Sequence, residues 1–296
     1  MVQGGKEFFR RRYEQLGGKI VDITLPKTIR INTLRMSAKD IAARLENLGV
    51  KLQKIPFTTY GYIVESKFSL GAIQEYLFGY YYLQEAAAQL PVQVLNPKPT
   101  DIVLDSCAAP GGKTSHLAQL MKNQGVIIAY ELKPHRLASL LMNLERTGVE
   151  NAVVFKGDAA CAKLLETQFD KILLDAPCAG NFVTDKVWFE KRDMEGINRS
   201  SGIQKRLLSA AVEVLASGGT LVYSTCSLEP EENELNMQWA LENLPVRLES
   251  VSLPIGDPGL TNVFGKKLHP DIAKCKRFWP HKTNTEGFFI AKLVKL

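Results

Sequence analysis

The chain has 296 residues, which is enough for two modest domains or one large one, and it carries a formal net charge of +6. Apolar residues make up 45% and charged residues 23% of the sequence, proportions that are typical of globular proteins and exclude intrinsic disorder, collagen-like repeats and a membrane-spanning chain. The N-terminal stretch MVQGGKEFFRRRYEQ has no apolar run after its charges, so it does not resemble a signal peptide and the expected location is cytoplasmic.

Short, mixed elements are predicted in the first third of the chain. The periodicity of apolar residues predicts helices over residues 5–16, 38–48 and 76–90, and strands over residues 28–32 and 62–65. Prolines predict a loop over residues 94–101. We therefore expect a small N-terminal α/β domain, residues 1–95, followed by a second domain, residues 96–296.

Apolar runs alternate with amphipathic segments from residue 101 onward. Buried strands are predicted at residues 102–105, 126–130, 153–155, 172–174 and 220–223, with helices between them such as 134–147 and 203–216. Continuous apolar strands alternating with helices indicate an α/β fold with a parallel sheet covered on both faces. In such a sheet the ligand lies at the carboxyl ends of the strands, so the residues that follow each strand are the candidates for function.

The first of these strands is followed by a turn rich in small residues, within IVLDSCAAPGGKTSHLAQLM. Two interpretations of this turn stay open at this point. A Walker phosphate loop would use Gly112, Lys113 and Thr114, but the first glycine that it requires is replaced by Cys107. Alternatively, the turn holds a nucleoside cofactor, because small residues and the start of a helix let a ligand approach the backbone.

Acidic residues at the next two strand ends favour the nucleoside interpretation. Glu131 lies 20 residues beyond Gly111 and ends the second strand, where a carboxylate can bind ribose hydroxyls. Asp158 ends the third strand and could accept a hydrogen bond from an adenine amino group, with Arg136 nearby. A phosphate loop has no use for Glu131.

Five cysteines are too few and too scattered for a disulfide scaffold, and no CxxC pair or zinc-ligand spacing of histidines is present. Cys107, Cys161 and Cys275 are expected to be packing or loop residues. Cys178 and Cys226, in contrast, follow the fourth and fifth strands of the predicted sheet, next to Asp175. Two thiols and a carboxylate are therefore expected to face the ligand cleft.

These motifs resemble the Fmu/Sun family of RNA 5-methylcytosine methyltransferases, which use S-adenosylmethionine. The matching stretches are CAAPGGKTSHLAQLM, LLDAPC, STCSLEPEENE, GFFIAKL, RINTL at residues 30–34 and LQE at residues 83–85. The resemblance implies a class I, Rossmann-like S-adenosylmethionine-dependent methyltransferase sheet with a small N-terminal α/β domain. In length the chain looks most similar to compact archaeal tRNA methyltransferases of this family.

The resemblance also implies a role for each residue. Cytosine carbon 5 is a poor nucleophile, so a thiolate first adds to carbon 6 and makes carbon 5 reactive. By resemblance Cys226 is that nucleophile, Cys178 promotes release of the product, Asp175 hydrogen-bonds the cytosine edge and Lys113 supplies positive charge. The implied cofactor-binding residues are Cys107, Ala108, Ala109, Pro110, Gly111, Gly112, Lys113, Glu131, Arg136, Asp158 and Asp175.

The expected partner is structured RNA, with tRNA as the first choice, and no membrane, metal or obligatory protein partner is expected. Ribosomal RNA as substrate and a noncatalytic RNA-binding or assembly factor with the same fold are the alternatives. RNA would require basic and aromatic surface. The candidate basic residues include Arg10, Arg11, Arg12, Lys27, Arg30, Arg35, Lys186, Lys191, Arg192, Arg199, Lys205 and Arg206. The loop after Cys178 departs from the family pattern at Asn181 and Phe182.

Overall fold

Residues 4–296 are described by the computed structural model, and they form two main sheets and a further sheet of two short strands. The smaller sheet is antiparallel, with strand order β2-β3-β1-β4. Its region contains the elements α1 (Lys6–Gln15), β1 (Thr28–Ile31), α2 (Ala38–Asn47), β2 (Lys51–Lys54), β3 (Gly61–Glu65), α3 (Gln74–Leu77), β4 (Tyr81–Leu83) and α4 (Leu90–Leu95). Ser37 caps the start of helix α2, because its side chain accepts a hydrogen bond from the Asp40 N–H. The helix buries Ile41 and Leu45 against β1.

The prediction of a helix over residues 76–90 is wrong for most of that range, because α3 ends at Leu77 and α4 begins at Leu90. Residues 81–83 instead form strand β4, which pairs with β1. Gly79 ends the preceding helix with a φ of +73°, and a Cβ at this position would lie 1.9 Å from the Arg146 carbonyl oxygen. Pairing with β1 satisfies the backbone of this segment, so tertiary structure overrides the helical pattern that its side chains present.

The larger sheet has nine strands and supplies the frame of the site. Its strand order is β11-β14-β15-β9-β8-β5-β6-β7, with β10 also paired to β15. Its region contains β5 (Ile102–Asp105), α5 (Gly112–Met121), β6 (Val126–Glu131), α6 (Pro134–Thr147), β7 (Ala152–Lys156), β8 (Phe169–Asp175), α7 (Trp188–Lys191), α8 (Met194–Val214), β9 (Leu215–Thr225), α9 (Glu234–Asn243), β10 (Val246–Glu249), β11 (Asp257–Pro258), β12 (Asn262–Val263), β13 (Lys266–Lys267), β14 (Lys276–Phe278), α10 (Pro280–Thr283) and β15 (Phe288–Lys295).

Strands β5 to β9 are the five predicted parallel strands, and all of them are present. Their order reverses between β5 and β8, which is the point where an open α/β sheet forms its ligand crevice. Strand β15 closes the sheet antiparallel to β9. The predicted α/β methyltransferase-like fold is therefore confirmed, and the crevice lies between the ends of β5 and β8. None of the described helices is long and apolar enough to cross a membrane.

Helix α1 packs on the larger sheet region rather than on the small antiparallel sheet. The Phe9 ring lies 4.7 Å from the Trp188 ring, and the Tyr13 ring lies 6.1 Å from the Trp279 ring, measured between centroids. These aromatic side chains are buried, so the contact is apolar packing at the core of the molecule. The division into domains near residue 95 stays a prediction.

Candidate functional site

Two thiols meet at the ends of β8 and β9. The Sγ atoms of Cys178 and Cys226 are 3.3 Å apart, a hydrogen-bond distance for sulfur, and both cysteines are free. Each follows the end of its strand, and the two strands are neighbours in the sheet, which brings together residues that are 48 positions apart in sequence. The predicted meeting of these cysteines at one sheet edge agrees with this geometry.

The two thiols differ in their tendency to ionise. A hydrogen bond from the Cys178 thiol lowers the pKa of Cys226, against the opposing effects of burial and of Asp175, and Lys113 lowers it further. The same interaction and burial raise the pKa of Cys178 well above its ordinary value. Cys226 is therefore the thiol of the pair that forms a thiolate first, and the thiolate is the nucleophilic form of cysteine.

A partly buried ion pair lies beside the thiols. Lys113 Nζ is 2.8 Å from one carboxylate oxygen of Asp175, and the Ser224 hydroxyl donates to the other oxygen across 2.7 Å. Burial lowers the pKa of Lys113, but the charge of Asp175 more than compensates and raises it, so Lys113 stays protonated. Both side chains are thereby held in position, with one positive and one negative group next to the Cys226 sulfur.

A cavity of about 360 Å³ opens next to this ion pair. Its walls include three acids, Glu131, Asp158 and Asp175, together with the apolar side chains of Leu132 and Leu207. A few polar groups in a largely apolar pocket of this size are typical of a small-molecule site. The buried Ser106 hydroxyl, also in the wall, has no hydrogen-bond partner among residues 4–296, so it is available to a ligand.

Two of the three acids of the cavity, Glu131 and Asp158, are held by backbone N–H groups. Glu131 accepts hydrogen bonds from the Lys133 N–H at 2.8 Å and the Ala109 N–H at 3.3 Å, which fixes its carboxylate. Asp158 accepts from the Ala160 N–H and pairs with Arg206 at 2.8 Å. Burial raises the pKa of Asp158, but its hydrogen bonds with Ala160 and Arg206 lower it overall, so it is charged at neutral pH.

The turn that contains Gly111 lies next to the cavity. Gly111 has a φ of +102°, a backbone conformation that side-chain-bearing residues rarely adopt, and it allows the turn into α5. Below the turn, Thr114 donates to the buried Asp105 carboxylate across 2.7 Å, and burial raises the pKa of Asp105 to about 6. The Lys113 amine binds Asp175 rather than the mouth of the turn, which disfavours the phosphate-loop interpretation.

Most of the predicted site residues border this cavity. They are Cys107, Ala109, Glu131, Arg136, Asp158, Asp175, Cys178 and Cys226. The structure brings these together from the ends of the five parallel strands β5 to β9. The remaining predicted residues, Ala108, Pro110, Gly111, Gly112 and Lys113, do not border the cavity and form the turn and helix start behind it.

Three further residues support the cysteines and were missed by the sequence reasoning. Asn181 is buried, and its side-chain amide donates to the carbonyls of Cys226 at 2.9 Å and Gly287 at 3.2 Å. Glu232 accepts from the Ala179 N–H at 3.0 Å, and burial raises its pKa to about 7. Ser224 orients Asp175, as described above. The departure from the family pattern at Asn181 was a signal for the first, whereas nothing local indicates the other two.

Several basic residues that were candidates for RNA contact have structural roles instead. Arg30 is fully buried, donates to the Gly112 carbonyl and Ser115 and does not reach the surface. Arg12 forms ion pairs with Glu229 and Glu231. The expectation that Arg30 binds RNA is therefore wrong, whereas that for Arg12 stays a prediction. Within residues 4–296, no group of three or more His, Cys, Asp or Glu side chains is arranged to hold a metal ion.

Removal of the Cys178 hydrogen bond is expected to raise the pKa of Cys226. In Cys178→Ala, alkylation of Cys226 by iodoacetamide should therefore be slower at neutral pH and its pH profile should shift to higher pH, whereas Cys178→Ser, which keeps a donor, should shift it less. Mass spectrometry of the Cys226 peptide measures the rate. Cys161→Ala, at an exposed cysteine away from the pair, is the matched control. An unchanged profile in Cys178→Ala would contradict the assignment.

Comparison with known proteins places the chain in a family. A family model described as 16S rRNA methyltransferase RsmB/F matches residues 92–294, and a model of the N-terminal domain of 16S rRNA methyltransferase RsmF matches residues 5–86. The tRNA (cytosine(49)-C(5))-methyltransferase of Pyrococcus abyssi is 39% identical over 281 residues, which cover 92% of this chain and 88% of that protein.

Longer relatives match the same region. The mouse 28S rRNA (cytosine-C(5))-methyltransferase is 41% identical over 282 residues, which cover 93% of this chain but 36% of that protein. The chain thus spans between about a third and a half of the length of the human, mouse, nematode and yeast relatives that it matches.

Solved structures agree with the fold. A methyltransferase homologue from Pyrococcus horikoshii superimposes with a TM-score of 0.86 at 45% identity, over 93% of this chain and 88% of that one. NSun6 from the same organism, solved with SFG, superimposes with a TM-score of 0.82 at 29% identity, over 93% of this chain and 91% of that one. The chain therefore belongs to the RsmB/F family of methyltransferases, as its motifs predict.

Proposed function

We propose that this protein methylates carbon 5 of cytosine in RNA, with tRNA as the substrate, through a covalent bond between Cys226 and cytosine carbon 6. The observation that carries the proposal is the pair of thiols 3.3 Å apart, beside the Lys113–Asp175 ion pair and at the edge of a nucleoside-sized cavity. Methylation of an exocyclic amino group would need no thiol. Methylation of carbon 5, in contrast, would use one thiol as the nucleophile and the other in release of the product.

S-adenosylmethionine fits the cavity and, when bound, supplies the methyl group. Glu131 would accept hydrogen bonds from the ribose hydroxyls, Asp158 from the adenine amino group, and Leu132 and Leu207 would cover the base. Arg136 donates to the Ala109 carbonyl and thereby holds the turn next to Glu131. Asp175, which borders both the cavity and the thiols, marks the end nearest the target base.

Cys226 begins the reaction as a thiolate. Its sulfur forms a bond to cytosine carbon 6, and the electron pair of the 5,6 double bond moves toward N3 and the exocyclic amino group. Asp175 would accept a hydrogen bond from the exocyclic amino group and hold that edge of the base, while the protonated Lys113 stabilises the negative charge that develops on the ring. Carbon 5 then has the character of an enamine and can accept a methyl group.

Cys178 would act in the release of the product. After methylation, carbon 5 carries a hydrogen atom as well as the methyl group. Transfer of this proton to water restores the 5,6 double bond and breaks the bond between carbon 6 and sulfur, so that 5-methylcytosine and the Cys226 thiolate are released. Cys178 lies within hydrogen-bond distance of the leaving sulfur, which is the place for a group that assists this step.

Transfer of labelled methyl groups to RNA tests the proposal. Incubation of the protein with labelled S-adenosylmethionine and unmodified tRNA should place the label in 5-methylcytosine after digestion of the RNA to nucleosides. Ribosomal RNA is the second candidate, because the mouse relative named for 28S rRNA is 41% identical over most of this chain. No label in either RNA would support a noncatalytic RNA-binding factor. A location in the cytoplasm is compatible with both RNAs.

Replacement of Glu131 with glutamine is expected to weaken binding of S-adenosylmethionine by about 10-fold or more, because hydrogen bonds from ribose to a charged acceptor contribute on the order of 1.5–3 kcal/mol. Isothermal titration calorimetry measures the dissociation constant without need for RNA. The exposed Glu150→Gln is the matched control. Equal affinities for the two variants would argue against the ribose contact.

A further inference from the structure

A second cavity, of about 590 Å³, lies on the small antiparallel sheet. We call it the β3–β4 groove, because the end of β3, the loop that follows and β4 form its walls. Residues that give it chemical character are Lys27, Ser66, Lys67, Phe68, Leu83 and Glu85. The proposed mechanism does not use this groove.

The groove combines positive charge with exposed apolar surface. Lys27 and Lys67 are both exposed and form no ion pair within residues 4–296, whereas Lys51 on the neighbouring strand β2 is paired with Glu65. The Phe68 side chain is 39% exposed and Leu83 is 43% exposed. Unpaired lysines beside an exposed aromatic ring are the combination that binds single-stranded nucleic acid, where bases stack on aromatic faces and lysines contact phosphates.

One end of the groove reaches the proposed catalytic residues. Gln84, in the groove wall, accepts a hydrogen bond from Arg30, which also donates to the carbonyl of Gly112, the neighbour of Lys113. The adjacent Glu85 accepts from the Glu286 N–H across 3.2 Å. These contacts place the end of the groove against the backbone that carries Lys113.

The segment that contacts Glu85 also lies close to Lys113. Glu286 is two residues before Phe288, whose ring centre lies 5.7 Å from Lys113 Nζ. Burial raises the pKa of Glu85 above its ordinary range, despite its backbone hydrogen bonds, which lessens the negative charge that an RNA strand would meet here. Residues 84–85 and 286–288 therefore link the wall of the groove to the backbone and the ring that lie next to Lys113.

We propose that the β3–β4 groove binds a nucleotide next to the target cytosine in the RNA strand. Phe68 stacks on the base of this nucleotide, and Lys27 and Lys67 contact the phosphates on either side of it. The proposal rests on the proposed function, because a target base that leaves its stack to enter the site pulls its neighbours out of regular helix geometry. A single-stranded neighbour has an unstacked face that an exposed aromatic side chain can cover.

Binding of a fluorescein-labelled, single-stranded 12-mer of cytidine, followed by fluorescence anisotropy over a series of salt concentrations, tests the groove. The Phe68→Ala change should weaken binding by about 5-fold or more, the loss typical of one stacked base. The double variant Lys27→Gln/Lys67→Gln should weaken binding at low salt and reduce the slope of log affinity against log salt by about 1.4, because each phosphate contact to a single strand contributes about 0.7.

Matched controls remove the same groups elsewhere on the small domain region. Lys39→Gln removes an exposed lysine of α2, and Phe78→Ala removes a ring that is 50% exposed, both outside the groove. These controls should bind RNA as the unchanged protein does. If they weaken binding as much as the groove variants do, or if the groove variants keep the full salt slope and affinity, the proposal is overturned. Equal melting temperatures show that each variant is folded.

The methylation assay separates this proposal from the proposed function. If tRNA is methylated and the groove variants show unchanged KM for tRNA, the groove proposal fails while the function stands. If no RNA is methylated but the groove variants bind the 12-mer more weakly than the controls, the groove binds single-stranded RNA, whereas the proposed function and the place of the groove next to a target cytosine both fail. With both correct, the groove variants raise KM for tRNA and leave KM for S-adenosylmethionine unchanged.

Discussion

Replacement of Cys226 with alanine is expected to reduce methylation of RNA by at least about 1000-fold, because the variant has no nucleophile to activate carbon 5. Initial rates of label transfer measure the effect. Cys161→Ala, at an exposed cysteine remote from the site, should keep full activity. S-adenosylmethionine should bind Cys226→Ala with nearly normal affinity, since Glu131 and Asp158 remain, and this shows that the loss is chemical rather than structural.

The alternative assignment of the two thiols has a distinct outcome. If Cys178→Ala were inactive in forming any bond to RNA while Cys226→Ala stayed active, Cys178 would be the nucleophile. The geometry opposes this, because the hydrogen bond and Lys113 both lower the pKa of Cys226, whereas the pKa of Cys178 is raised.

Replacement of Cys178 with alanine is expected to trap the protein on its RNA. The Cys226 thiolate can still attack carbon 6, but release is slowed by about 100-fold or more, the usual range for loss of a group that assists proton transfer. A protein–RNA complex should therefore persist on a denaturing gel and carry the methyl label. Since the pKa of Cys226 rises in this variant, the complex should form faster at alkaline than at neutral pH.

Two controls sharpen this experiment. The double variant Cys178→Ala/Cys226→Ala should give no complex, which identifies Cys226 as the attached residue. RNA that contains no cytosine should also give none. Rapid turnover by Cys178→Ala without any accumulated complex would contradict the release role and would leave Glu232, with a pKa near 7 beside the Cys178 loop, as the group to examine next.

The contact between the small sheet and the glycine turn links the two parts of the site. Arg30 is fully buried and has no carboxylate among its hydrogen-bond partners, and burial lowers its pKa to about 9. An uncompensated buried cation is costly, so its three acceptors must stay in place. The small sheet and the start of α5 are consequently held together, and the groove keeps a fixed position relative to Lys113.

Local patterns account for the elements that the sequence predicted well. The parallel strands are continuous apolar runs bounded by turns, and helix α6 has regular amphipathic spacing, so their identity depends little on the rest of the chain. Residues 81–83 show the limit of such patterns. Three aromatic or aliphatic residues suit a helix or a strand equally, and only pairing with β1 decides between them.

Local sequence patterns are enough to predict the order of the parallel strands and the residues at their ends: Glu131 at the end of β6, Asp175 at the end of β8, Cys178 after β8 and Cys226 after β9. Contacts between distant parts of the chain bring the two thiols together, let Ser224 and Asn181 hold Asp175 and the Cys226 backbone, bury Arg30 and place Lys67 and Phe68 in a groove. The difference arises because local patterns and tertiary contacts act over different distances along the chain. Hydrophobic periodicity acts over a few residues, whereas hydrogen bonds, ion pairs and burial depend on partners that the chain brings together from tens to hundreds of residues away.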